Sequence, residues 1–226
     1  MNHKNRVDCH RENWQFALFS ITGLSHKILT FADNWRPKDK SMAEFNDIQI
    51  IKRKFFTLRN GALADNMRRQ GAPYRIIFGL NLPQLVRIAS ETPCNESVAQ
   101  SLWENTSTRE SMLLAPMIYP RECFTIDKAR IWISQSPTAE VTDILCHKLL
   151  RYTDFAGQLA TELAVSAGDM QRYTALRLMF NLLPSDLQQA KNYATAELQR
   201  NCTLTASLCR SMLDEIGFLE EPRTLT

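Results

Sequence analysis

From Glu44 onward the apolar positions fall at helical spacing. Phe45, Ile48, Ile51, Phe55 and Leu58 lie three or four residues apart with Lys and Arg between them, the pattern of an amphipathic helix whose cations stay in water. A second helix is predicted from Ala62 to Gln70, stopped at Gly71, and the loop APYRIIFGLNLPQL leads to Pro83 just inside the next one. Between Leu102 and Asp143 three helix starts follow one another. Ser107 and Glu110 read as a capping box, with Met112, Leu113, Met117 and Ile118 forming the apolar face behind it. Thr125, with Asp127 in the first turn, and Ser136, with Pro137 at the first helical position, read as the next two caps. Asp143 then falls nearly two turns into a helix, too deep to cap anything, so it is a surface charge, a buried bridge or a working group.

The helix starts recur. Thr92, Thr125, Thr153 and Ser185, the last forming a second capping box with Gln188, are separated by 33, 28 and 32 residues, and each interval holds two amphipathic helices. No sustained period-2 run appears, so the chain is predicted to be all-α. A repeat of about 30 residues with two helices per unit reads as an α-solenoid, because a single helix pair cannot bury its apolar face alone and stacks on its neighbours. A closed helical bundle is the alternative. Pro116 is expected to kink its helix, which fits the solenoid slightly better. Residues 1–41 differ: they hold two of the four Trp and three of the four His, show no clear helical period before Trp14, and end in the polar run WRPKDKS. They are expected to be an extension outside the folding unit, with the repeat domain over residues 42–226.

Composition narrows the class. A chain of 226 residues, 44% hydrophobic, can bury the core of one or two domains. The net charge of +3 hides an asymmetry: residues 1–91 carry 15 basic against 8 acidic side chains, and residues 92–226 carry 12 against 16. Most of the excess is one block, Lys52, Arg53, Lys54, Arg59, Arg68, Arg69, Arg75 and Arg87, interrupted by a single acid, Asp65. Such a block suggests a local anionic partner such as a phosphate backbone, or else a solvated helix face. The six Cys form no CxxC pair and have no metal-ligand spacing with the His, so a reducing cytoplasm fits better than a disulfide framework, and no metal or cofactor is expected. No apolar run approaches the roughly 20 residues of a membrane span. A soluble cytoplasmic monomer is the expectation.

Each chemical candidate has a plain structural reading beside it. Asp143 with Lys148 or Arg172 is equally an ion pair between neighbouring helices. For Glu110 the capping box suffices. Trp103 and Trp132, on apolar faces, read as core. Cys146 beside His147 lacks a placed acid or second His, so it reads as a buried thiol next to a surface imidazole rather than a nucleophile, and Lys148 and Arg151 read as solvated.

The segments IIFGLNLPQLVRIA, SLWENTSTRESMLLA, EVTDILCHKLL and QRYTALRLMFNLL resemble the HEAT-like repeat family of alkylpurine DNA glycosylases, the DNA alkylation repair proteins, over roughly Ile48 to Leu183. The pairing of a Trp that ends one helix with a Glu near the start of the next is the most specific part. The resemblance implies a C-shaped α-α superhelix whose concave basic face holds damaged double-stranded DNA, and excision of a cationic alkylated base by hydrolysis of the N-glycosidic bond, without extrusion of the base. The family's catalytic Asp, which stabilises positive charge developing on the sugar, falls on Asp143. Its backbone-gripping Arg falls on Arg172, with Tyr173 following. Four residues before the Asp, where the family has a lesion-packing Trp, this chain has Ala139, and the second aromatic and basic set has no counterpart in NYATAELQRNCTLTASLCRSML. Two readings result: a glycosylase-like repair protein using Asp143, with Arg53, Lys54, Arg59, Arg75 and Arg172 on phosphates, or a non-catalytic helical-repeat module that binds nucleic acid or a protein partner along its concave face. Ala139 favours binding without chemistry.

Overall fold

A computed structural model of the protein describes residues 40–183 and 186–220, with side chains from residue 47 on. Eleven α-helices lie among them: α1 (Lys40–Thr57), α2 (Gly61–Arg69), α3 (Leu82–Ser90), α4 (Glu96–Glu104), α5 (Arg109–Ile118), α6 (Ile126–Gln135), α7 (Ala139–Lys148), α8 (Ala156–Ala164), α9 (Asp169–Asn181), α10 (Leu187–Leu198) and α11 (Thr203–Glu220). Two 3-10 turns, Arg121–Cys123 and Leu150–Tyr152, follow α5 and α7. Among the described residues the only β-pairing is an isolated parallel bridge between Ile76 and Thr108. The expected extension, residues 1–41, lies outside the described residues except for Lys40 and Ser41, which open α1.

The helices form two rows. Helices α3, α5, α7, α9 and α11 stack on one another in chain order, and α4, α8 and α10 pack as partners of α5, α9 and α11. Helix α6 joins α4 and α8 in the second row. Lys128 reaches Glu96 (2.7 Å), Trp132 Nε1 donates to Gln100 (3.3 Å), Trp103 Nε1 to Gln135 (2.8 Å), and Arg130 grips Glu162 (2.9 and 2.7 Å), each pair 32 residues apart. In the first row Phe78 N donates to Glu110 across 32 residues, Arg109 meets Glu140 across 31, and Asp143 meets Tyr173 and Arg177 across 30 and 34. Equivalent positions in successive units thus touch, which is how a solenoid closes its core. This is an all-α superhelix of stacked helix pairs.

Tryptophan marks its centre. Trp103 and Trp132 are fully buried and stack at 4.2 Å with their planes 3° apart, while Tyr119 and Phe124 close on Trp132 edge-on at 5.4 and 5.2 Å.

Several helix starts differ from the sequence expectation. Asn60 and Asn81 cap α2 and α3, the latter with a full capping box to Gln84, and Pro83 lies inside α3 as expected. Helix α4 is capped by Asn95 rather than Thr92, and α10 by Asp186; the box of Ser185 with Gln188 falls on a residue outside the described ones. Thr125 does cap α6, accepting from Lys128 N. Ser136 instead ends α6, and Thr138 caps α7. Asp143 is therefore the fifth residue of α7, one turn in. Pro116 is accommodated within α5, which ends two residues later.

The capping box at Ser107 and Glu110 does not form. Thr108 precedes α5, Ser107 donates to Asn105, and Glu110, fully buried, accepts from the backbone N–H groups of Phe78 (3.0 Å), Gly79 (3.0 Å) and Leu80 (3.3 Å). The reason is desolvation. The loop before α3 brings three otherwise unpaired amides into the interior, where a carboxylate is worth far more than at a solvated helix end.

Candidate nucleic-acid interface and the Asp143 site

Asp143 is held by the next helix of its row. On α9, Tyr173 and Arg177 are four residues apart and share a face. Tyr173 donates its hydroxyl to Asp143 Oδ1 (2.8 Å), and Arg177 straddles the carboxylate with Nε on Oδ1 (2.7 Å) and Nη2 on Oδ2 (3.2 Å). Arg177 also donates to the Tyr173 oxygen at 3.3 Å. Burial first, and then the Asp143 carboxylate, push the Tyr173 hydroxyl up to about 12, so it remains a donor at any physiological pH. The carboxylate is about one-third exposed and its charge is met by a bidentate guanidinium. Neither Lys148 nor Arg172 is the partner: the cation is Arg177, whose signal in the sequence was only its place one repeat beyond Asp143 and one turn beyond Tyr173. Ala139, the first residue of α7, is half-buried and presents only a methyl group.

Arg172 cannot take the phosphate role expected of it. It is 5% exposed, its Nε donates to both oxygens of the buried Glu197 (3.0 and 3.2 Å), Nη1 to the carbonyls of Ser166 and Ala167 (3.3 and 2.6 Å), and Nη2 to Asp169. Every nitrogen is engaged inside the protein, and the residue staples α9 to α10. Arg109 acts likewise two units earlier, tying α5 to α7 and to the loop before α3 through Glu110, Glu140 and the Leu80 carbonyl.

The basic block divides into paired and open cations. Lys54 bridges Glu91 at 3.0 Å and Arg87 holds the same carboxylate at 3.0 Å; these two hydrogen bonds keep Glu91 below the usual carboxylate range. Arg68 pairs with Asp65 at 2.7 Å. Arg59 stacks on the exposed ring of Phe56, 3.8 Å from its centroid, and donates to the Phe56 carbonyl. Lys52, Arg53, Arg69 and Arg75 are exposed, with no carboxylate partner among the described residues. Arg53, Lys54 and Arg87 line a groove of about 400 Å³ between α1 and α3 whose floor includes Leu58 and Ile88. The structure thus brings Arg53 and Lys54 to one groove and leaves Asp143 in another part of the row.

Cys146 is fully buried, and that burial together with the Asp143 charge pushes its thiol well above the usual range, which removes it as a nucleophile. Among the described residues no three His, Cys, Asp or Glu side chains are placed to hold a metal ion, and no helix is long and apolar enough to cross a membrane.

No known family model and no curated protein matches the sequence. A solved structure does match the fold, with a TM-score of 0.63 at 13% identity over 74% of this chain and 74% of that one; it is described as "a new family of proteins related to the HEAT-like repeat DNA glycosylases with affinity for branched DNA structures". The fold is HEAT-like. At that identity the likeness concerns architecture, and it reaches the same architecture as the resemblance read from the helix segments. Within a HEAT-like frame, Asp143, Tyr173 and Arg177 belong to the row formed by α3, α5, α7, α9 and α11, and the open cations lie at the end of that row where α1 and α2 precede α3.

Proposed function

We propose that this HEAT-like repeat protein binds double-stranded DNA through the phosphate backbone, without excising a base. The observation that carries this reading is the set of exposed cations Lys52, Arg53, Arg69 and Arg75, joined by the ring-stacked Arg59, at one end of the solenoid. Unpaired guanidinium groups on a rigid helical surface neutralise phosphates and release counterions, a sequence-independent source of affinity. The affinity of the structural neighbour for branched DNA supports this and suggests that junctions are preferred over plain duplex.

The state of Asp143 supports the non-catalytic part of this reading. A catalytic carboxylate beside a breaking glycosidic bond acts by its uncompensated charge. Here the charge is shared with Arg177, and the aromatic group that would position a base is replaced by Ala139. A second reading, a non-catalytic scaffold for a protein partner, draws on the exposed Ile50 and Phe56 beside the same cations.

Fluorescence anisotropy with a labelled duplex and a four-way junction, run beside an assay for release of an alkylated purine, tests the proposal. Binding to both DNAs, tighter to the junction, with no release above background is expected. Efficient release would overturn the non-catalytic assignment, and absence of DNA binding would leave the protein-scaffold reading.

A further inference from the structure

The helices α3, α5 and α7 run parallel in their row, because their first turns meet: Arg109 at the start of α5 contacts Leu80 before α3 and Glu140 in the first turn of α7. Their C-terminal ends therefore share one edge. On that edge lie Arg87 in the last turn of α3, Arg121 in the turn after α5 and Arg151 in the turn after α7, spaced by 34 and 30 residues, one repeat each.

Arg121 and Arg151 meet across a repeat boundary on Tyr152. The Arg121 guanidinium lies 3.7 Å and that of Arg151 5.2 Å from the ring centroid, and Tyr152 is 49% exposed. A stacked guanidinium keeps its N–H donors at its rim, where they can take a phosphate in bidentate fashion. Arg121 has no acceptor among the described residues, and Arg151 commits one nitrogen to His147 Nδ1 at 3.3 Å. Burial, together with Lys148, Arg151 and Arg177, holds His147 below its usual range, so the imidazole accepts as a neutral ring in a positive neighbourhood. The carboxylates of the same two loops, Glu122 and Asp154, are exposed and pair with neither arginine among the described residues.

We infer that this edge is a second phosphate-backbone contact, in which Arg121 and Arg151 hold DNA phosphates and Tyr152 is the plate that fixes the two guanidinium groups. Arg87, itself paired with Glu91, lines the α1–α3 groove one repeat before Arg121, so the two open guanidinium groups extend the footprint from that groove along the edge. The inference rests on the DNA-binding reading above.

The test uses the full chain and a labelled four-way junction, with circular dichroism confirming that each variant is folded. The double variant R121E/R151E should weaken binding at least tenfold and reduce the slope of log K against log[salt] by about 1.8, two phosphates at about 0.9 each. Tyr152→Ala, which keeps both charges but removes the plate, should lose about threefold, on the scale of one ring contact. Arg210→Glu on α11 controls for a general charge effect and should bind nearly as the unmodified protein does. Wild-type affinity and slope in R121E/R151E, or an equal loss in Arg210→Glu, would overturn the inference while leaving DNA binding intact. Absence of binding by the unmodified protein would instead overturn the DNA-binding reading.

Discussion

Buried Glu110 and Glu197 each close a polar network that the apolar rows could not tolerate open. Glu110 satisfies three backbone amides and Arg109 at once, so Glu110→Gln, which swaps an acceptor for a donor facing donors, should destabilise the protein by about 3 kcal/mol, the scale of breaking a buried ion pair. Glu140→Gln, at a half-exposed carboxylate on the same arginine, should cost less than about 1 kcal/mol. Urea denaturation of the two variants checks the contrast, and equal costs would show that the loop amides find water instead. Cysteine reactivity offers a second check. Native protein treated with a thiol reagent should be labelled at exposed Cys123 while Cys146 stays unmodified until unfolding, as read by peptide mass spectrometry.

The loop between α2 and α3 is the least repetitive element and the one that most depends on tertiary contact. Asn60 N donates to the Phe78 carbonyl (2.8 Å), Arg68 to the Ile77 carbonyl (3.3 Å), and Gly79, at φ +77°, lies so close to Asn60 that an added Cβ would sit 2.2 Å from its carbonyl oxygen. Gly79→Ala should therefore cost about 2 kcal/mol or more, combining left-handed strain with a backbone clash. Gly61→Ala, one residue beyond the same asparagine with nothing within 4 Å, should be neutral or stabilising by up to about 1 kcal/mol. Thermal unfolding of the pair separates a packed loop from a loose one. This loop also shows where the sequence was hard to read. The repeat period and the buried Trp pair were legible because each unit must present the same apolar face to its neighbours. The exact caps were not, since Asn105, Thr106, Ser107 and Thr108 are all competent and the amides of a distant loop decide the outcome. Arg172 and Arg177 were indistinguishable for a related reason: α9 is buried on nearly every side, so no polar stripe told which arginine faces Asp143.

The stacked rows give a protein in which neighbouring units contact one another through charged side chains spaced by one repeat, and in which the cations left over gather at the α1–α3 end and along one edge. We propose that these surplus cations hold phosphates. The salt dependence of duplex binding, compared between the unmodified chain and the charge-reversal variant R53E/R59E/R75E, decides this. Affinity of the unmodified chain should fall linearly in log K against log[salt], by about 0.9 per phosphate contacted, and the triple reversal should flatten that slope by up to about 2.7 while leaving the helical content unchanged. A salt-independent affinity, or a slope the reversal does not change, would show that these cations do not hold phosphates.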